Sequence, residues 1–112
     1  MMKTVAEAVS EITDDTFAGE VLSSTLPVLV DFTADWCPGC RMIAPVLAQM
    51  AAENGERLRI VSLNVDHNPR TAAAYGVLAM PTLMLFRAGE PVLSLVGARS
   101  KNRLMSELAD VL

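Results

Sequence analysis

The chain is poor in cysteine and histidine, and it has no apolar run of the roughly eighteen residues that a membrane-spanning helix needs. Two cysteines, Cys37 and Cys40, are too few for a disulfide scaffold, so so close a pair asks for a chemical explanation. One histidine, His67, and no third cysteine leave a structural zinc site short of its four ligands, and no metal is expected. Basic side chains are also in deficit, nine against thirteen acidic, and the net charge of -4 disfavours a partner recognised through its phosphates. Nucleic acid is therefore not an expected partner. The opening residues reach Glu7 and Glu11 without the uninterrupted hydrophobic segment of a secretory signal, which predicts a cytoplasmic, soluble protein with no membrane association. Repeats and low-complexity tracts are absent as well.

What the 112 residues do contain is core material: 52% are hydrophobic and 20% charged, enough for one self-sufficient domain over residues 1–112. Two runs have the composition of strands buried on both faces, residues 27–33 (Val28, Leu29, Val30, Phe32) and 58–65 (Ile60, Val61, Leu63). Between them Ile43, Val46, Leu47 and Met50 fall on one helical face of a segment over 38–54, with Asn54-Gly55 expected as a left-handed cap. That strand, helix, strand unit predicts parallel pairing through a right-handed crossover. Asn68-Pro69 opens a short helix that stops at Gly76. Segments 82–87 and 91–96, joined by Ala88-Gly89-Glu90, form a hairpin, which makes the sheet mixed. Ser100 caps a last helix with Leu104, Leu108, Val111 and Leu112 on its apolar side. A weak strand over 8–12 and a helix opening at Thr13-Asp14-Asp15 complete an α/β order of five strands and four helices.

Cys37-Pro38-Gly39-Cys40 falls where the first strong strand ends and the long helix begins. The unpaired N–H groups and positive dipole end of a helix stabilise a thiolate, so Cys37 is expected to attack. Cys40, one turn further in and expected to be the more buried, is placed to resolve the mixed disulfide. The spacing suits a bridge between the two sulfurs. Half a zinc site and an inert buried pair are the competing readings. Asp31 stands inside an apolar strand, where a buried carboxyl has a raised pKa suited to general acid/base work; a strand-end aspartate turned to solvent is the other placement. On the residues alone, Pro81 reads as a trans strand starter, and Pro45 as a kink in the long helix.

The order Asp31-Phe-Thr-Ala-Asp-Trp-Cys-Pro-Gly-Cys-Arg-Met-Ile-Ala-Pro45, then Met80-Pro81-Thr82 and Val96-Gly97-Ala98, resembles the thioredoxin family over nearly the whole chain. The resemblance implies a thioredoxin fold, a central mixed five-stranded sheet flanked by four helices. It implies a protein-disulfide reductase using Cys37 and Cys40 as its redox-active disulfide, with no bound cofactor. Asp31 would assist proton transfer to and from the resolving thiol. A cis peptide before Pro81 would face the sulfurs and leave the Met80 backbone free to pair with an extended substrate segment. Trp36, Pro38, Gly39, Gly76, Met80, Pro81, Gly97 and Ala98 would make a shallow docking surface, although Trp36 alone reads equally as a partly buried anchor. The implied partners are protein disulfides and an NADPH-dependent thioredoxin reductase, the chain acting as a monomer.

Three positions depart from the family pattern. Pro38-Gly39 reverses the usual Gly-Pro, and a glycine behind the proline loosens the turn and changes the disulfide potential. Thr33 stands where tryptophan is common, leaving Trp36 as the sole indole. Ser62 replaces a frequent lysine, which leaves the Asp31 carboxyl more easily protonated. A thiol oxidase or isomerase of the same fold, and a redox-independent binding or assembly module, are the alternative functions. His67 reads as a solvated loop residue, and the seven methionines as core filler with Met80 the exception.

Overall fold

The computed structural model describes residues 8–112, so the reading of the extreme N-terminus as lacking a signal segment lies partly outside the described residues. Five strands form one sheet: β1 (Ser10–Ile12), β2 (Val28–Thr33), β3 (Arg59–Asn64), β4 (Thr82–Arg87) and β5 (Glu90–Val96). Their spatial order is β1-β3-β2-β4-β5. The first three run parallel, while β4 is antiparallel to β2 and to β5. Strands β2 and β4 are buried on both faces, as their continuous apolar composition requires.

Three helices, α1 (Pro38–Asn54), α2 (Pro69–Ala74) and α3 (Lys101–Leu108), and a π-helical turn (Ala18–Leu22) flank the sheet. One core gathers Phe17, Val30, Phe32 and Phe86, with Tyr75 packed edge-on against Phe86. The other gathers Leu29, Ile43, Leu47, Ile60 and Leu104 beneath α1 and α3. Successive β2 residues alternate between these cores, which is how one strand serves both.

Four local expectations are corrected. Gly55 has right-handed angles (φ −58°, ψ −18°) instead of a left-handed cap, because α1 ends by another route: the N–H groups of Arg57 and Leu58 both donate to the Asn54 carbonyl, each at 2.9 Å. The hairpin turn is shorter than the three residues expected, since β5 begins at Glu90 and only Ala88 (φ 52°) and Gly89 (φ 81°) connect the strands. Two consecutive positive φ values match the strands' twist. The helix expected from Thr13 begins later, at Ala18, because Thr13 and Thr16 bond each other in a turn of their own. Asn68 does flank α2, but its Oδ1 accepts from the Asp14 N–H at 2.9 Å and caps nothing. Asp14 does that work, its two carboxylate oxygens taking the N–H groups of Arg70 (3.1 Å) and Thr71 (2.9 Å).

Candidate functional site

The C-terminal end of β2 feeds directly into α1, and this junction carries the thiols. Cys37 has extended angles (φ −92°, ψ 111°) and is the N-cap of α1, with Pro38 in the first turn, where a missing N–H costs nothing. The Cys40 N–H donates to Cys37 Sγ at 3.1 Å, so the first sulfur holds the place of a capping oxygen. Cys37 Sγ–H donates in turn to the Met80 carbonyl at 3.4 Å, beside a Met80–Pro81 peptide that is cis, as the resemblance implied.

Gly39 lies close against the loop that carries Pro81. A Cβ at this position would stand 3.2 Å from Pro81 Cδ and 3.9 Å from the Ala98 side chain. The Gly97 N–H donates to the Pro81 carbonyl at 2.9 Å. Cys37, Gly39, Met80, Pro81, Gly97 and Ala98, far apart in sequence, are thereby brought together. Gly76 follows α2 with φ 68°, its N–H donating to the Ala73 carbonyl.

Trp36 is 61% exposed, yet its Nε1–H donates to Asp66 Oδ2 at 2.9 Å. The nitrogen is anchored, but the ring is exposed and not the partly buried one that the anchor reading expected. The expected difference in burial between the sulfurs is not found: Cys37 is 3% exposed and Cys40 4%, because Ala34 and Met80 pack around the first as closely as the helix covers the second. Both cysteines are free thiols. Burial raises the Cys40 thiol above its ordinary range, the neighbouring Cys37 adds to this, and the Thr33 hydroxyl and Ala34 backbone oppose it.

Asp31 is 5% exposed, between Ser62 of β3 and Leu83 of β4, and not turned to solvent. Burial pushes its carboxyl from 3.8 to about 7, and among the described residues its Oδ1 has no hydrogen-bond partner. Burial is the one cause of the shift among the described residues, where serine stands at position 62. A cleft of about 240 Å³ is lined by Asp31, Cys40, Thr33 and Ser62 together, with Glu11 among its other walls. His67 is exposed in its loop, as expected. Among the described residues no three histidine, cysteine or acidic side chains form a metal-binding group, and no helix is long and apolar enough to cross a membrane.

Sequence reasoning missed Asp66, Glu11 and Leu78. Asp66 is a loop carboxylate whose partner lies thirty residues away in sequence, and Glu11 reaches the cleft only through strand register. Leu78 is 93% exposed in the loop that leads to Met80. Its signal was available: a leucine in the apolar run Val77 to Met80, between the Gly76 stop and Pro81 and outside the strands and helices read from the sequence.

A thiol pair at a helix N-terminus, capped across a cis-proline loop at the end of a mixed five-stranded sheet, defines a disulfide oxidoreductase. The family model Thioredoxin matches residues 8–110. A thioredoxin of Mycobacterium tuberculosis is 50% identical over 104 residues, covering 93% of this chain and 90% of that protein. A thioredoxin of Streptomyces clavuligerus is 50% identical over 101 residues, 90% of this chain and 94% of the relative. A bifunctional thioredoxin reductase/thioredoxin of Mycobacterium leprae is 48% identical over 101 residues, 90% of this chain and 22% of that longer protein. The chain belongs to the thioredoxin family. Its activity is protein-disulfide reduction, carried by its own cysteine pair.

Proposed function

We propose that Cys37 attacks and Cys40 resolves, with Asp31 moving the proton. The observation that carries the assignment is the Cys40 N–H donating to Cys37 Sγ at 3.1 Å, which aims the positive end of α1 at the first sulfur, while burial raises the second thiol. In the first step Cys37 thiolate attacks a partner disulfide, forming one S–S bond and expelling one partner thiolate. Cys40 then gives its proton to Asp31 and attacks Cys37 Sγ. The mixed disulfide breaks, the second partner thiolate leaves with an electron pair, and the chain is left oxidised as Cys37–Cys40. No bound cofactor enters either step.

The exposed Trp36 ring and the Pro38, Gly39, Met80, Pro81, Gly97 and Ala98 surface receive the partner. A leucine exposed as fully as Leu78, in the loop leading to Met80, extends this apolar face. Recycling falls to an NADPH-dependent thioredoxin reductase, a reading supported by the relative whose name joins both activities in one protein. The chain works as a cytoplasmic monomer of one domain. A Cα radius of gyration of 12.7 Å, against about 13 Å for a compact domain of this length, supports the single compact domain.

The test is turnover of insulin disulfides driven by dithiothreitol. Cys37→Ser is expected to abolish it, whereas Cys40→Ser traps a mixed disulfide on Cys37 that is isolated by non-reducing electrophoresis. Wild-type turnover surviving in the Cys37→Ser, Cys40→Ser double variant would sink the assignment and favour the binding-module reading.

A further inference from the structure

Exchange requires a proton to leave Cys40 while a partner protein covers Cys37. Asp31 accepts it but, 5% exposed, must itself be reset from solvent. The register supplies a direction. Glu11 pairs with Ser62, and Ser62 pairs with Asp31, so the three side chains stand in one row on the α1 side of the sheet. With strands about 4.8 Å apart, Glu11 and Asp31 are roughly 10 Å from each other, too far for direct contact, with the Ser62 hydroxyl between them.

The cleft of about 240 Å³ follows this row. Asp31, Cys40 and Leu47 form its buried floor, while Glu11 and Ala44 are exposed at its rim. Its volume is several times the about 30 Å³ share of a liquid water molecule, and its walls offer two carboxylates, two hydroxyls and a thiol. Asp31 lines it, and among the described residues the buried Oδ1 of this carboxyl has no hydrogen-bond partner. Among the described residues no basic side chain lines it, and Glu11 and Cys40 are the titratable groups that share it with Asp31. None of Trp36, Met80, Pro81, Gly97 and Ala98 is among its walls, so a docked partner leaves it open.

We infer that this cleft is the proton route between the Cys40–Asp31 pair and solvent, with Ser62 as relay and Glu11 as the exchanging group at its mouth. The inference rests on the roles given above to Cys40 and Asp31. The proton leaves Cys40 Sγ for the Asp31 carboxylate, and passes by way of the Ser62 hydroxyl to Glu11 and then to buffer. No electrons move along it. Glu11 and Ser62 act through Asp31 and are positioning residues.

The test is stopped-flow reaction of the reduced chain with 5,5′-dithiobis(2-nitrobenzoate), whose two thionitrobenzoate releases report attack by Cys37 and resolution by Cys40 in turn. Glu11→Gln and Ser62→Val are each expected to leave the first release unchanged. Each should slow the second by about tenfold near neutral pH, short of the roughly hundredfold that loss of a general base itself costs. Glu11→Asp restores it. An unchanged second release in both variants, or an equal slowing of both releases, would overturn the route. If the wild-type chain gives only one release, the assignment of Cys40 as resolving thiol fails and takes the route with it. Two releases in wild type with unaltered variants condemn the route alone.

Discussion

Asp31 is the residue on which chemistry and stability pull in opposite directions. Its carboxyl is raised from 3.8 to about 7 by burial, so the folded chain holds a proton there that the unfolded chain releases. Between those values stability falls as pH rises, and above about 7 the charged form is fully carried as a cost. The full shift corresponds to about 4 kcal/mol at most. Asp31→Asn is therefore expected to raise the urea midpoint clearly at pH 8 and hardly at pH 4, while slowing resolution by Cys40. A midpoint that shifts equally at both pH values would remove the buried-charge account. This residue was legible in sequence because a carboxylate among Val28, Leu29, Val30 and Phe32 lies in a run that the sheet buries on both faces; the strand-end placement turned to solvent was the alternative that burial removed. The equal burial of the two sulfurs was not, since it depends on Met80, which local pattern does not place beside Cys37.

Elements with continuous apolar composition or helical spacing appeared where the sequence put them: β2, β3, α1 and the hairpin, with ends moved by a residue or so, and α3, which stops at Leu108 and leaves the expected Val111 and Leu112 beyond the helix. Ser100 caps α3 as expected, its Oγ accepting from the Arg103 N–H at 3.2 Å. What failed were the ends and windings decided by distant partners. Asn68 had the right identity for a cap, yet Asp14, more than fifty residues away in sequence, took the position. Burial pushes the Asp14 carboxyl up, but the Thr71 hydroxyl and backbone and the Arg70 contacts outweigh it and hold it below its ordinary value. A carboxyl lowered on folding adds stability above its unfolded pKa and loses it as pH falls through the folded value. Asp14→Ala is expected to cost about 1 kcal/mol at pH 7, the usual worth of a cap, with the difference from wild type closing in acid. Urea midpoints at pH 7 and pH 3 measure both; equal midpoints at pH 7 would contradict the capping role.

At the scale of the whole molecule, fold class and family were legible because several separated motifs agreed in order, and the fold had only to bring them together. The direction of electron flow is set more finely. Gly39, in place of proline, is where Pro81 packs against α1, so the reversed dipeptide alters how the helix start meets the loop. The equilibrium potential of Cys37–Cys40, followed by alkylation and by the fluorescence of the sole indole, is expected below the glutathione poise of roughly −220 to −260 mV, as a reductant requires. A value above that range would make the chain an oxidant or isomerase with the same architecture.

The two outermost strands differ from the three they enclose. β1 is three residues long, and β5 carries Pro91 close to a register shift opposite Leu85 and Phe86. Short length, a missing N–H and an irregular ladder are each known to stop a sheet from recruiting another strand. With the sheet's flanks closed in this way, the docking surface proposed around the Met80 loop is kept apart from any strand-recruiting edge, and that separation keeps a redox carrier from becoming a template for aggregation.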